Sequence, residues 1–308
     1  MKLIVTFLLL TMLPNSFQDE ISLTFEGKEI NSLQRSEFGL SPFEDTMIDE
    51  GKYQQLLNKL EKKVFEKPVD ASIDKYGRLI SEQNGHRLNR KKFKEEFYTS
   101  FFSEGTTAIE IPMETIYPKV DSELLASIRT KRISQYITYF NSGNKQRSHN
   151  IYLASEAINN YVVFPNETFS FNAVVGKRTV EKGYLPAPVI VKGELSEGVG
   201  GGICQVSSTL FNAVDRAGVK IIERYSHSRK VPYVPPNRDA TVSWYGPDFT
   251  FKNRHNQPLL IRSKVIGGQL LIVIYSSDTL NIEKRDVPSA PEKLPKEANT
   301  NEKNGNKQ

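Results

Sequence analysis

Three consecutive glycines, Gly200-Gly201-Gly202, run directly into Ile203-Cys204-Gln205-Val206-Ser207-Ser208-Thr209-Leu210-Phe211, and no other stretch constrains the fold as much. Glycine tolerates left-handed backbone and close approach, so the triplet predicts a sharp turn. Beyond it, Leu210, Phe211, Val214 and Ala217 recur at helical spacing up to a stop at Gly218. Cys204, the one cysteine of the chain, therefore falls in the first turn of a helix. Unpaired N–H groups there and the positive end of the macrodipole favour a thiolate. A lone cysteine also serves as a small buried apolar residue, and a glycine-rich turn as a tight connection. The residues downstream weigh toward chemistry.

After Gly218, residues 219–225 read as a strand that delivers Ser226-His227-Ser228, and Asp239 stands at the start of a second strand over 240–245. Nucleophilic cysteine chemistry needs a base or cationic partner for the thiol and a third polar group to orient the imidazole. Cys204, His227 and Asp239 occur in that order, as in papain-like and transglutaminase-like enzymes, at tighter spacing. His149 and His255 are alternatives to His227 but fall in polar loops, while Asp215 and Asp248 are alternatives to Asp239. Around this core, Gly200, Gly201, Gly202, Gln205, Ser207 and Arg224 are the candidate substrate-binding residues. The Gln205 amide and the N–H groups of the helix start would face a developing oxyanion.

Other chemistries find less support. No Gly-Lys-Ser/Thr follows the glycines, so a nucleotide-binding loop is not expected. One cysteine and four scattered histidines give no metal-ligand spacing, and neither a metal nor a cofactor is expected. The balance of 41 Lys+Arg against 36 Asp+Glu is too diffuse for nucleic-acid binding but suits an anionic envelope polymer.

With 308 residues and 38% hydrophobic content, the chain can fill a core in each of two domains. Residues 1–17 have a short positive end and a brief apolar run before Pro14, which reads as a signal peptide or N-terminal anchor. The run is shorter than the ~20 residues of a spanning helix. An exported chain with one thiol cannot form an internal disulfide, which leaves Cys204 free for another use. Residues 18–120 read as a small α+β module. It has a possible-strand pattern at 21–25 and an amphipathic helix carrying Tyr53, Leu56, Leu57, Leu60 and Val64. Two short strands at 69–73 and 78–81 follow, then a helix led by Asn89 with Phe93, Phe97 and Phe101 inward, and a strand at 107–111. Residues 121–141 read as a joining helix, and 142–148 as a polar loop. A helix through Ala154 and Ile158 then enters a second domain rich in β-branched strands at 187–191, 259–263 and 270–275. Residues 279–308 are Lys, Glu, Asn and Pro with few apolar groups, and read as a disordered tail.

The segment Ile80-Ser81-Glu82-Gln83-Asn84-Gly85-His86-Arg87-Leu88-Asn89 resembles the YoaR-type domain, a resemblance that implies peptidoglycan binding by the first module. The Gly-Gly-Gly-Ile-Cys-Gln-Val-Ser-Ser-Thr core resembles the VanW family. The match continues through Glu223-Arg224, His227-Ser228, Tyr233-Val234-Pro235 and Asp239-Ala240-Thr241-Val242, with Asn166–Asn172 upstream. Asn237 stands where that family often has glycine. The resemblance implies an exported protein of the cell wall or extracellular face of a Gram-positive-type bacterium, with peptidoglycan as partner. Membrane contact would come only through an uncleaved N-terminal signal. The family's activity is left open, as is the oligomeric state.

The expected fold is thus α+β. A small N-terminal module precedes a mixed domain over 121–278, in which the Cys-bearing helix packs on a mostly antiparallel sheet. Two functions fit. One is acyl transfer or amide hydrolysis on stem peptides by Cys204, His227 and Asp239. The other is a non-catalytic scaffold whose glycine turn and helix N-terminus hold a carboxylate.

Overall fold

The computed structural model describes residues 20–41, 44–191 and 194–292, so the expected signal peptide over 1–17 lies outside the described residues. The protein is mixed α+β with mostly antiparallel sheets, and it divides into two compact units. The first comprises Met1–Asp70 with Glu82–Lys119, and the second Ala71–Ser81 with Val120–Gln308.

In the first unit, α1 (Glu50–Val64) begins at Asp49, whose carboxylate accepts from the Lys52 N–H at 3.1 Å. Its apolar stripe of Tyr53, Leu56, Leu57, Leu60 and Val64 is buried as the spacing predicts. Helix α2 (Arg90–Phe101), capped by Asn89, turns Phe93, Phe97 and Phe101 into the same core. The Glu20–Phe25 strand supplies Ile21 and Leu23 to that core. It pairs antiparallel with Lys28–Gln34 and parallel with Thr107–Glu110.

Residues 71–81, read from sequence with the first module, pack instead in the second unit. Their short hairpin, Ser72–Ile73 with Leu79–Ile80, is tied there by the Asn160 side chain. That amide accepts from Ile73 N and donates to Ile73 O, both at 3.1 Å, in the manner of a neighbouring strand. Ala71 and Ile73 are buried with Leu125, Ile128 and Leu260.

The second unit is built on a four-stranded antiparallel sheet in the order Lys131–Tyr139, Gln269–Ser276, Leu259–Ile266, Tyr161–Val163. The long helix expected over 121–141 is absent. Only α3 (Ser122–Ile128) forms, and Lys131–Tyr139 is a strand. Ser134, Tyr136, Thr138 and Phe140 alternate inward with a period of two, but a register shift between Arg132 and Ser134 also buries Ile133 and blurs that pattern. The polar loop expected over 142–148 is largely the first turn of α4 (Lys145–Ile158), capped by Asn144. A short helix, α5 (Phe171–Val175), follows the Thr168–Ser170 strand.

Helix α6 (Ile203–Arg216) packs with α4 against the sheet and is buried on nearly every side. Its interior polar groups are all engaged. Thr209 Oγ1 shares a 2.8 Å hydrogen bond with Thr138 Oγ1, and Asn212 Nδ2 donates to the Arg238 carbonyl at 2.8 Å. The strand expected over 240–245 forms only one bridge, Thr241 with Tyr225. Its backbone hydrogen bonds go elsewhere: Ser207 Oγ donates to Ala240 O at 2.5 Å, and Ala240 N donates to Ser208 Oγ at 2.9 Å. A sheet ladder is replaced by helix side chains.

The expected disorder does not extend over residues 279–292, which lie against the second unit. Leu280, Val287 and Ala290 enter its main core, and Arg285 Nη1 donates to Asp215 Oδ1 at 2.7 Å. Residues 293–308 lie outside the described residues. No helix among the described residues is long and apolar enough to cross a membrane. Leu280→Ala should cost about 3 kcal/mol, as for other buried leucines, whereas a loose tail predicts no change. Urea unfolding of the full chain checks this.

Candidate functional site

The site begins with the glycine turn. Gly200 (φ +91°) and Gly202 (φ +105°) occupy left-handed backbone, and a Cβ on Gly201 would lie 2.5 Å from the Ala187 carbonyl oxygen. All three positions therefore require glycine for packing or backbone reasons. Asn150 steadies the turn by donating from Nδ2 to Gly201 O at 3.0 Å and to Leu185 O at 2.8 Å. Gly202 provides no side-chain cap, and the turn's own carbonyls take two first-turn donors, Ile203 N giving to Gly200 O at 3.3 Å and Gln205 N to Gly202 O at 3.0 Å.

Cys204 is half-buried on a helix whose neighbouring positions are buried. Its Sγ lies 3.5 Å from the Val242 carbonyl oxygen and 3.8 Å from Thr241 Oγ1, both on the segment that Ser207 and Ser208 bind. The strand Lys220–Glu223 leads to Arg224 and on to His227. Asp239 Oδ2 accepts from both His227 N and His227 Nδ1, each at 2.6 Å, so one oxygen holds the loop and the ring together. Their side chains are only 6% and 9% exposed. With Nδ1 committed to Asp239, Nε2 is the ring nitrogen left to act on Cys204, with which His227 interacts electrostatically. The imidazole and carboxylate are thus held in contact, and the thiol feels the charge of that pair.

The electrostatics follow from this chain of contacts. Burial alone would raise the Cys204 thiol, but the hydrogen bond and charge of His227 outweigh it and hold the thiol below its usual range. Burial would likewise lower His227, yet the bonds to Asp239 and Cys204 lift it to about 9. Asp239 is pushed up by burial and pulled further down by its two His227 bonds, ending below the usual carboxylate range. A thiolate–imidazolium pair backed by a carboxylate is the state these shifts favour.

Other sequence candidates have different roles. Gln205 is fully buried and its amide is used within the fold. Oε1 accepts from Arg147 Nη2 at 2.7 Å, while Nε2 donates to Thr138 Oγ1 and Tyr139 O, each at 3.0 Å. Ser207 is equally buried and bonded to Ala240. Neither faces a ligand, because both point into the packed side of α6. Arg224 donates to Asp239 O at 2.6 Å and lies over the Phe211 ring at 5.0 Å, so it clamps the loop that carries Asp239. His149 meets Gly183 O, and His255 meets Ala217 O at the opposite end of α6. Asp215 pairs with Arg238 and Arg285. Asp248 accepts from Ser170 Oγ, Asn172 N and Phe249 N. Among the described residues no group of three His, Cys, Asp or Glu side chains converges as a metal site.

Two residues near Cys204 are not candidates in the sequence reading, although Thr241 lies within the VanW-like stretch. Thr241 is reached only because its segment docks on α6 instead of a sheet. Arg178 follows α5, well upstream of the glycines. Its stem lies against Gly200, where an added Cβ would meet Arg178 Cβ at 3.2 Å. The Lys177-Arg178 pair after Gly176 has no motif to mark it.

Residues 146–275 match the family model described as VanW like protein. The chain is 54% identical to the uncharacterized protein YoaR of Bacillus subtilis (strain 168) over 298 residues, 97% of this chain and 98% of that protein. It is 33% identical over 100 residues to the vancomycin B-type resistance protein VanW of Enterococcus faecalis (strain ATCC 700802 / V583). That alignment covers 30% of this chain and 36% of that protein. No solved structure gives a significant match.

Asp239→Asn removes the anion that raises His227, so the imidazole should titrate well below about 9, nearer its usual range. Histidine-selective NMR titration reads this directly. A raised imidazole adds stability that is fully present below its unfolded pKa and is lost as pH rises through its folded pKa. The wild-type advantage over Asp239→Asn, about 2 kcal/mol near neutrality, should therefore shrink as pH rises through about 9. Chemical denaturation across pH checks the sign.

Proposed function

The chain belongs to the VanW family, and from that premise we propose that it is an exported, peptidoglycan-associated protein whose Cys204 performs acyl transfer or hydrolysis on amide bonds of stem peptides. Membership of the family supports a cell-envelope role. The observation that carries the finer reading is the 2.6 Å contact between Asp239 Oδ2 and His227 Nδ1, on a ring that interacts electrostatically with Cys204. Burial of a free cysteine requires no such arrangement.

In this reading the Cys204 thiolate attacks the amide carbonyl carbon, forming a C–S bond and placing charge on the carbonyl oxygen, which the positive end of the α6 dipole would stabilise. The imidazolium of His227 gives its proton to the amine nitrogen as the C–N bond breaks, leaving a thioester. His227 then takes a proton from water, or from an acceptor amine, as that nucleophile displaces the sulfur. Asp239 holds the ring in the orientation both transfers require. The scaffold reading keeps the wall as partner and leaves the histidine and aspartate contacts only the task of holding their loop. The first unit would supply wall affinity, and export would bring the site to its polymer.

The rate should be bell-shaped in pH. The acid limb lies below the usual thiol range, and the alkaline limb follows loss of the His227 proton near 9. Cys204→Ala and His227→Gln should each lower stem-peptide cleavage by about a thousandfold or more while the chain still sediments with purified peptidoglycan. Mass spectrometry of the released peptides reads the first effect. Full turnover by Cys204→Ala would remove the catalytic reading and leave the scaffold.

A further inference from the structure

The Arg178 guanidinium, against the glycine turn, has one buried donor unused by the fold. Arg178 Nη1 donates to Asn172 Oδ1 at 2.7 Å and the guanidinium lies over the Phe171 ring at 5.7 Å, so the side chain is held from two sides. Its Nη2 is buried and has no hydrogen-bond partner among the described residues. A desolvated cationic donor left unpaired is costly, and proteins retain one where a ligand completes it.

Three observations place this group at the candidate site. The Arg178 stem runs along Gly200 of the turn, as described above. Asn172, which accepts from Arg178, donates through Nδ2 to the Ser243 carbonyl at 3.0 Å. The preceding residue, Val242, presents the carbonyl that lies 3.5 Å from Cys204 Sγ. Burial lowers the Arg178 pKa, and the Cys204 charge acts against that effect, so the two groups interact electrostatically. The neighbouring Asp248 does not quench the cation by hydrogen bonding, because its oxygens are taken by Ser170 Oγ and the N–H groups of Asn172 and Phe249.

We infer that Arg178 binds a carboxylate of the substrate, and that the site takes anionic peptides carrying that carboxylate close to the amide attacked by Cys204. Arginine suits the task because its fork matches a carboxylate and stays charged in a dry setting. The site would then select against amidated or neutral peptides, since these leave the buried guanidinium unpaired. The inference rests on the reading of Cys204 as a reactive thiolate.

The test compares alkylation of Cys204 by iodoacetate and by iodoacetamide, in the full chain, followed by mass spectrometry. The same thiolate attacks both reagents and displaces iodide, so their rate ratio cancels any change in thiolate fraction and reports recognition of the reagent's carboxylate. The wild type should prefer iodoacetate, and Arg178→Gln should lower the ratio about tenfold, the worth of one charge-assisted hydrogen bond. Fast thiolate alkylation with the same ratio in both proteins overturns the inference alone. Slow alkylation typical of an ordinary thiol overturns the underlying reading as well.

A second measurement needs no variant. Wild-type Cys204 is treated with iodoacetamide in the presence of a peptide with a free C-terminus, or of an amidated peptide carrying a glutamate side chain. Protection by the first assigns the terminal carboxylate to Arg178, and protection by the second assigns a side-chain carboxylate. Protection by neither overturns the inference.

Discussion

The pairing of Ser207 and Ser208 with the backbone of Ala240 is the interaction on which the geometry of the site depends. A helix buried on nearly every side has no solvent to satisfy its polar side chains, so each must find a partner in the fold. These two serines find theirs in a stretch of chain that would otherwise pair in a sheet. That choice brings Asp239, Thr241 and Val242 alongside the first turn of the helix that carries Cys204. The hydroxyls are not themselves placed to react, yet they bring a sulfur and a carboxylate from distant parts of the chain to one imidazole.

The charge arrangement around that imidazole is a compact sequence of opposite signs. Asp239 is stabilised as an anion by two contacts with the same residue, one from the ring and one from the main chain. Removing it would free the loop as well as lower the basicity of the ring. Arg224 and Phe211 add a cation–π contact and a main-chain clamp on the other side of Asp239. The loop is therefore braced by elements that never reach the sulfur, the kind of support a reactive group requires to keep its geometry.

Much of this was legible in the sequence where one local rule acted alone. The capped helices with Asn89 and Asp49, the phenylalanine stripe of α2 and the glycine turn before Cys204 all follow from short-range chemistry. The order of Cys204, His227 and Asp239 could also be read, and His227 and Asp239 pair through a 2.6 Å contact. Reading failed where distant partners decided the outcome. The Lys131–Tyr139 strand is hidden by its register shift, and the 240–243 segment has strand composition but bonds to a helix. Gln205 looked available because it adjoins the cysteine, although helical geometry turns it about a hundred degrees away and into the core. Arg178 was invisible because nothing local marks it. Residues 279–292 are too charged to suggest burial, yet a few apolar side chains suffice to dock them.

The hairpin at 71–81 makes the two units topologically interleaved. The chain leaves the first unit at Asp70, contributes eleven residues to the second, returns at Glu82 to complete α2 and its neighbouring strand, and departs again after Lys119. During synthesis the hairpin emerges long before Asn160, whose amide completes its bonding, so part of the second unit must wait while the first is finished. Recombination that exchanges everything before residue 120 would carry away a piece of the neighbouring fold. The pair is thus bound to be inherited as one block, with evolutionary shuffling at that junction penalised by the loss of Ile73 from its core.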